Sequence, residues 1–253
     1  MVVEFGAYSH VGKVRKNNED SYYIPSNKYG IENLFMVADG MGGHNAGDVA
    51  SKMLVREIAD YFKLNIDKVN KSREIKELML DAVHHANKIV YDCSLSDERY
   101  EGMGTTLTMA YFFGPKLCIA HVGDSRAYVI YKDSIEQITK DHSLVQDLLE
   151  NGSITEEEID NHPQRNVITR ALGTDEEVKI DYYERKIDEK YIILLCTDGL
   201  INHVTSQEII DISKESKDLS ELARRLTIEA LDDGGTDNIT VIVAKYNDRA
   251  KER

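Results

Sequence analysis

The chain has 253 residues, 42% hydrophobic and 30% charged, with a net charge of −14 and three cysteines. That size and balance fit one soluble domain with a large core, and the negative charge, with no basic stripe of interleaved aromatics, sets nucleic acid aside as a partner. No apolar run is long enough to span a membrane and the first residues lack a secretory pattern, so no membrane association is expected; Cys93, Cys118 and Cys196 show no metal-ligand spacing and suit a reducing cytoplasm.

In chain order, strands are expected near residues 2–8, 20–24, 33–38, 104–112, 115–122, 126–131, 180–187, 190–196 and 239–246. Two helices fall between the third and fourth strands. Residues 46–63 place Val49, Ala50, Met53, Ile58 and Phe62 at helical intervals, and 72–93 do the same with Ile75, Leu78, Met79, Ala82, Val83, Ala86 and Val90. A second helical pair comes late, at 205–215, opened by the capping box Thr205-Ser206-Gln207-Glu208, and at 218–231. Short strands that follow one another directly, as at Phe113-Gly114, indicate antiparallel sheet. The pattern predicts an α+β protein, a four-layer α/β/β/α sandwich of two sheets with helical pairs on both outer faces. One domain spans 1–247, with 248–253 a polar tail. Within it the polar stretch 141–177 carries two short helical patterns, 143–151 and 155–161, and reads as a flap beside the site.

The candidate chemistry sits where apolar runs stop. Asp39 ends Leu34-Phe35-Met36-Val37-Ala38, Asp198 ends a run from Tyr191 to Thr197, and Asp124 ends one from Leu117 to Gly123; Asp237 opens the strand beginning at Asn238. A carboxylate at the end of a buried strand is costly to desolvate without a cation or donor, and oxygen ligands suit hard divalent metals. An isolated Asp-Gly is an ordinary turn. The flanking runs Ala38-Asp39-Gly40-Met41-Gly42-Gly43-His44, Val122-Gly123-Asp124-Ser125-Arg126 and Gly235-Thr236-Asp237-Asn238-Ile239-Thr240 favour a metal site.

Arg15 either neutralises these acids or presents a guanidinium fork to a phosphoryl group. Asp20 precedes a strand and suits hydrogen bonding to a metal-bound water, and Glu19 reads as a solvated loop charge. His44 and His142 are candidate proton donors with capping or surface roles as the plainer alternative. There is no Gly-x-Ser-x-Gly elbow, and Gly40-Met41-Gly42-Gly43 lacks the Gly-Lys-Ser/Thr ending of a phosphate loop.

Taken in order, the segments 15–20, 38–43, 102–106, 123–126, 141–143, 165–173, 196–200 and 237–240 resemble the bacterial metal-dependent Ser/Thr protein phosphatases of the protein phosphatase 2C type, over essentially the whole chain. The resemblance implies two core Mn²⁺ or Mg²⁺ ions and a third. Asp39 would bridge the core pair, Gly40 would bind the second ion through its carbonyl, and Asp198 and Asp237 would complete the first. Asp124 with Asp198 would hold the third ion, Asp20 would act through water, and Arg15 would bind substrate phosphate. It also implies hydrolysis of phosphoserine and phosphothreonine in proteins by a metal-bridging water, reversing a bacterial Ser/Thr kinase, in a monomer. Met41 stands where many eukaryotic relatives carry a histidine acid, so the leaving group must be protonated from elsewhere. Two other readings use the same residues: a phosphoprotein-binding pseudo-enzyme, and a hydrolase of small phosphate esters.

Overall fold

The computed structural model describes residues 2–25, 31–42, 46–69, 71–159, 162–187 and 190–247; His44 and the expected tail 248–253 lie outside them. One sheet runs in the order β1 (Val2–His10), β11 (Ile239–Asn247), β10 (Ile192–Cys196), β7 (Arg126–Ile130) and β8 (Ile135–Gln137). The other runs β2 (Asp20–Tyr23), β3 (Leu34–Met41), β5 (Leu107–Phe113), β6 (Lys116–Val122) and β9 (Asp181–Lys186), with β4 (Gly104–Thr105) pairing onto the end of β3. Each of these strand pairings is antiparallel.

Both faces of the inner strands are buried, which is why β3, β5, β6, β10 and β11 read as apolar runs. Along β3, Leu34, Met36 and Ala38 join a core beneath α1 (Ala46–Asn65) and α2 (Ser72–Ser96), while Phe35 and Val37 enter the core between the sheets. Along β11, Ile242 and Ala244 point to that middle core. Ile239, Val241 and Val243 pack outward against α5 (Asp198–Ile201), α6 (Ser206–Glu215) and α7 (Leu219–Asp232). Three apolar layers separated by period-2 strands make the four-layer α/β/β/α sandwich that the sequence predicts.

The differences from expectation are local. The strand expected over 104–112 breaks at Thr106, whose hydroxyl accepts the Asp39 N–H at 2.9 Å. β8 was not anticipated, because Ile135-Glu136-Gln137 is half exposed and carries no apolar run. The single-turn α5 was also hidden, behind an Asp-Gly that reads as a turn. Within 141–177, α3 (Leu144–Glu150) is capped by Ser143, whose hydroxyl accepts from Gln146 N at 3.3 Å, and α4 spans Glu156–Ile159 among the described residues, with 160–161 outside them. A bridge between Ser143 and Ile168 closes this segment on itself, and one between Thr105 and Leu172 ties it to the body of the domain.

Phe35 is fully buried between the sheets, meeting Phe5 and Phe112 edge-on at 5.5 and 5.6 Å between ring centroids. Phe35→Ala should destabilise the chain by about 3–5 kcal/mol in urea unfolding, the usual cost of emptying an aromatic core position. A loss under about 1 kcal/mol would mean that the facing sheets close over the gap.

Candidate metal centre

Asp39 lies at the end of β3, directly opposite Asp20 in the ladder with β2. Its main chain is held on three sides. Its N–H donates to Thr106 Oγ1 at 2.9 Å, and its carbonyl accepts from Thr106 N and Thr105 Oγ1, both at 2.9 Å. Gly40 N donates to the carbonyl of Glu19 at 3.2 Å. Asp198 opens α5 directly after β10, and its Oδ2 accepts from Asn202 Nδ2 at 3.1 Å. Asp237 stands just before β11, where its Oδ2 accepts from the Arg15 guanidinium at 2.7 Å. The two loops approach so closely that a Cβ on Gly199 would lie 2.0 Å from the Asn238 carbonyl oxygen, so only glycine fits there.

Asn238 braces this end of the fold. Its amide nitrogen donates to the carbonyls of Val11 and Asn17, each at 2.9 Å, and its oxygen accepts from Glu19 N at 2.7 Å. The loop carrying Arg15 is thereby fixed to the strand carrying Asp237. Asp39, Gly40, Asp124, Asp198, Asp237 and Arg15 line one cavity of about 260 Å³, together with Glu19, Met41, Thr106, Asn166 and Ile168. Asp20 does not line it. Its side chain reaches across to the other sheet, where Oδ2 accepts from the hydroxyls of Thr197, just after β10, and Thr240, in β11, at 2.9 and 2.6 Å; the next residue, Ser21, turns the other way, to Ser51 of α1.

The carboxyl groups carry the signature of acids crowded out of water. Burial, then the charges of Asp20, Asp198, Asp124 and Asp237, push Asp39 well above the usual carboxylate range. Burial raises Asp20 and Asp124 each to about 7 and lifts Asp198 as well, with neighbouring acids adding to each. The charges of Asp198 and Asp124 act on Asp39, and that of Asp198 on Asp124, so the three acids raise one another. Oδ1 of Asp20 and Oδ1 of Asp198 are buried without a hydrogen-bond partner among the described residues. Mutually repelling carboxyl groups and unpartnered carboxylate oxygens are what divalent cations would satisfy, so the donor set fits Mn²⁺ or Mg²⁺. As the side chains stand, no three His, Cys, Asp or Glu groups among the described residues converge into a ready-made cage. They ring a cavity with room for ions and their waters instead.

His142 is not placed for proton donation. It is absent from the cavity wall, and its Nδ1 accepts the Gly123 N–H at 3.0 Å. Its Nε2 lies 2.8 Å from the Arg170 guanidinium and 3.3 Å from Asp181 Oδ2, so both ring nitrogens are engaged by the protein. Of the wall residues, Asn166, Ile168, Thr106 and Glu19 had drawn no site role from the sequence; Thr106 lies in the segment 102–106 that carries the resemblance, and Asn238 follows Asp237 directly.

The family model for protein phosphatase 2C matches residues 7–239. The chain is 39% identical over 242 residues to the serine/threonine phosphatase stp of Listeria welshimeri, covering 96% of this chain and 95% of that one. Among solved structures it resembles serine/threonine phosphatase Stp1 from Staphylococcus aureus, with a TM-score of 0.91, 36% identity and coverage of 98% and 96%. It also resembles the catalytic domain of serine threonine protein phosphatase PstP in complex with two manganese ions, with a TM-score of 0.85, 36% identity and coverage of 98% and 99%. The chain belongs to the protein phosphatase 2C family of metal-dependent Ser/Thr protein phosphatases.

Proposed function

We propose that Asp39, Asp198 and Asp237, with the Gly40 carbonyl, hold two Mn²⁺ or Mg²⁺ ions at which phosphoserine and phosphothreonine of proteins are hydrolysed. The carrying observation is the ring of buried, mutually repelling carboxyls around one cavity that also exposes a guanidinium. Asp124 with Asp198 would hold a third, weaker ion, and Asp20 would act through water. Residues 1–247 would form one domain with 141–177 as its flap, working as a monomer in the cytoplasm and reversing a bacterial Ser/Thr kinase. No helix among the described residues is long and apolar enough to cross a membrane.

Bound in this cavity, two such ions would polarise the phosphoryl oxygens and bring the pKa of a water down to about 7. The chain's own residues supply position and charge. Arg15 has one nitrogen on Asp237 while its side chain is 54% exposed, leaving donors free to take two phosphoryl oxygens. Thr106 is no nucleophile, because its hydroxyl is engaged by Asp39 N and by Ser125 Oγ at 2.7 Å. Water oxygen therefore bonds to phosphorus, the ester bond breaks, and the released alcohol takes up a proton. Met41, on the cavity wall, has none to give, so that proton comes from water.

Three results are expected. Asp39→Asn should lower phosphate release from a phosphothreonine peptide on the order of 1,000-fold at saturating Mn²⁺, the several kcal/mol of Lewis-acid stabilisation. In calorimetry the same variant should lose the tight Mn²⁺ sites, whereas Asp124→Ala should lose only a weaker one; near-normal turnover in Asp39→Asn would defeat the assignment.

Arg15→Ala should raise the phosphopeptide KM roughly 10- to 100-fold, matching the hydrogen bonds to a charged group that it removes. Mn²⁺ binding should persist, and Arg15→Lys should recover only part of the loss, because an ammonium cannot form the planar fork. If Arg15→Ala instead lost Mn²⁺ with KM unchanged, the guanidinium would be a structural counter-charge.

The third result concerns pH. With its folded pKa raised to about 7 from an ordinary value of 3.8, Asp20 contributes stability that is present at low pH and lost as pH rises through 7. In EDTA, Asp20→Asn should therefore melt above the wild type at pH 8, with the gain shrinking as pH falls from 7 towards 4. A gain independent of pH would show that Asp20 is not the group being titrated.

A further inference from the structure

His203 lies five residues beyond Asp198, just past the single turn of α5, in a segment to which the sequence assigned no chemistry. Its imidazole is 9% exposed and spans the gap to the turn before β11. Nδ1 lies 3.1 Å from Asp233 Oδ2. Nε2 accepts from the backbone N–H of Thr236 at 3.1 Å and lies 2.8 Å from its hydroxyl. A neutral imidazole offers one donor and one acceptor, and this arrangement uses both: Nδ1–H on Asp233, the Nε2 lone pair on Thr236. Neither nitrogen is left to move a proton to or from a substrate, so the ring is no general acid.

What it holds is the presentation of two acids. The His203 N–H donates to the Leu200 carbonyl at 3.1 Å, and the Asn202 N–H to that of Asp198 at 2.9 Å, so the ring is rooted in the same turn as Asp198. Thr236 directly precedes Asp237. Before it come Gly234 and Gly235, at φ +128° and +53°, a pair whose conformational freedom leaves the turn poorly determined by its own chain. The Gly235 carbonyl also accepts from Lys13 N at 2.7 Å, so this turn carries the loop that bears Arg15.

We propose that His203 is a positioning residue that sets the separation of the Asp198 and Asp237 carboxylates, with Asp233 fixing the tautomer that accepts the Thr236 N–H. It rests on the reading of those two aspartates as ion ligands. Groups that orient ligands from behind typically contribute 10–100-fold to metal affinity.

The test is Mn²⁺ calorimetry on the full chain, paired with thermal unfolding of the same proteins in EDTA. His203→Ala should weaken tight Mn²⁺ binding about 10-fold or more. His203→Gln, whose amide oxygen reaches towards the Thr236 N–H, should recover part of it. Asp233→Asn alters an exposed side chain, keeps the ring, and should weaken binding a few-fold; it decides the matter if His203→Ala does not fold. Wild-type Mn²⁺ affinity in Asp233→Asn and in whichever His203 variant folds, with only the EDTA melting point lowered, would overturn the proposal and leave His203 a structural brace. Failure of the wild type itself to bind Mn²⁺ would overturn the metal assignment, and the proposal with it.

Discussion

Like charges buried within reach of one another oppose folding, and in this protein Asp20, Asp39, Asp124 and Asp198 are gathered at one end of two packed sheets with their carboxyl groups pushed towards neutrality. The rest of the architecture holds them there. The force comes from three apolar layers well away from the acids. Position comes from main-chain bonds: Thr105 and Thr106 fix the peptide of Asp39, while Asn238 ties together the segments of Asp237, Val11, Asn17 and Glu19. Strand ends suit this task. Their backbone is committed to the ladder, and their side chains emerge where the sheets stop and the helices have not yet covered them.

The same geometry explains what a reader of the sequence could see. Leu34-Phe35-Met36-Val37-Ala38 announces a buried strand, but its residues divide alternately between two cores, and apolar content alone cannot show that division. Asp-Gly at the ends of such runs is an ordinary turn by itself, and the acids were legible through their flanking runs, such as Gly235-Thr236-Asp237-Asn238. The supporting groups were not legible, because each acts across a great sequence distance. Thr240 reaches Asp20 over 220 positions and Asn238 reaches Glu19 over 219. A threonine or asparagine in a strand has no local signature that distinguishes a brace from a filler.

Asp20 shows the limit of reading by motif. The sequence placed it among the site acids, and the ladder does set it opposite Asp39. Its side chain nonetheless stays off the cavity wall, turned across to the facing sheet, where two threonine hydroxyls hold one oxygen and the other is unpartnered. It influences the centre through its charge, as the second cause of the rise in Asp39. Residues directly opposite in an antiparallel ladder share a face of the sheet, so what separates Asp20 from Asp39 is the partner that its carboxyl meets across the sheets, and those two threonines lie 177 and 220 positions away.

An ion that binds only the folded chain stabilises it by mass action, by about 2.7 kcal/mol at a hundred times its dissociation constant. Here that stabilisation would act on the same carboxyl groups whose repulsion opposes folding, so it would neutralise the cause of the instability rather than add an unrelated contact. Protons compete for the same oxygens. An acid raised to about 7, as Asp124 is, would have to release its proton to bind a cation near neutrality. With the ions held as proposed, metal occupancy, catalytic competence and fold stability in this phosphatase would be linked through one set of oxygens. The link is strongest above neutral pH, where the charges are fully developed and a cation has no proton to displace.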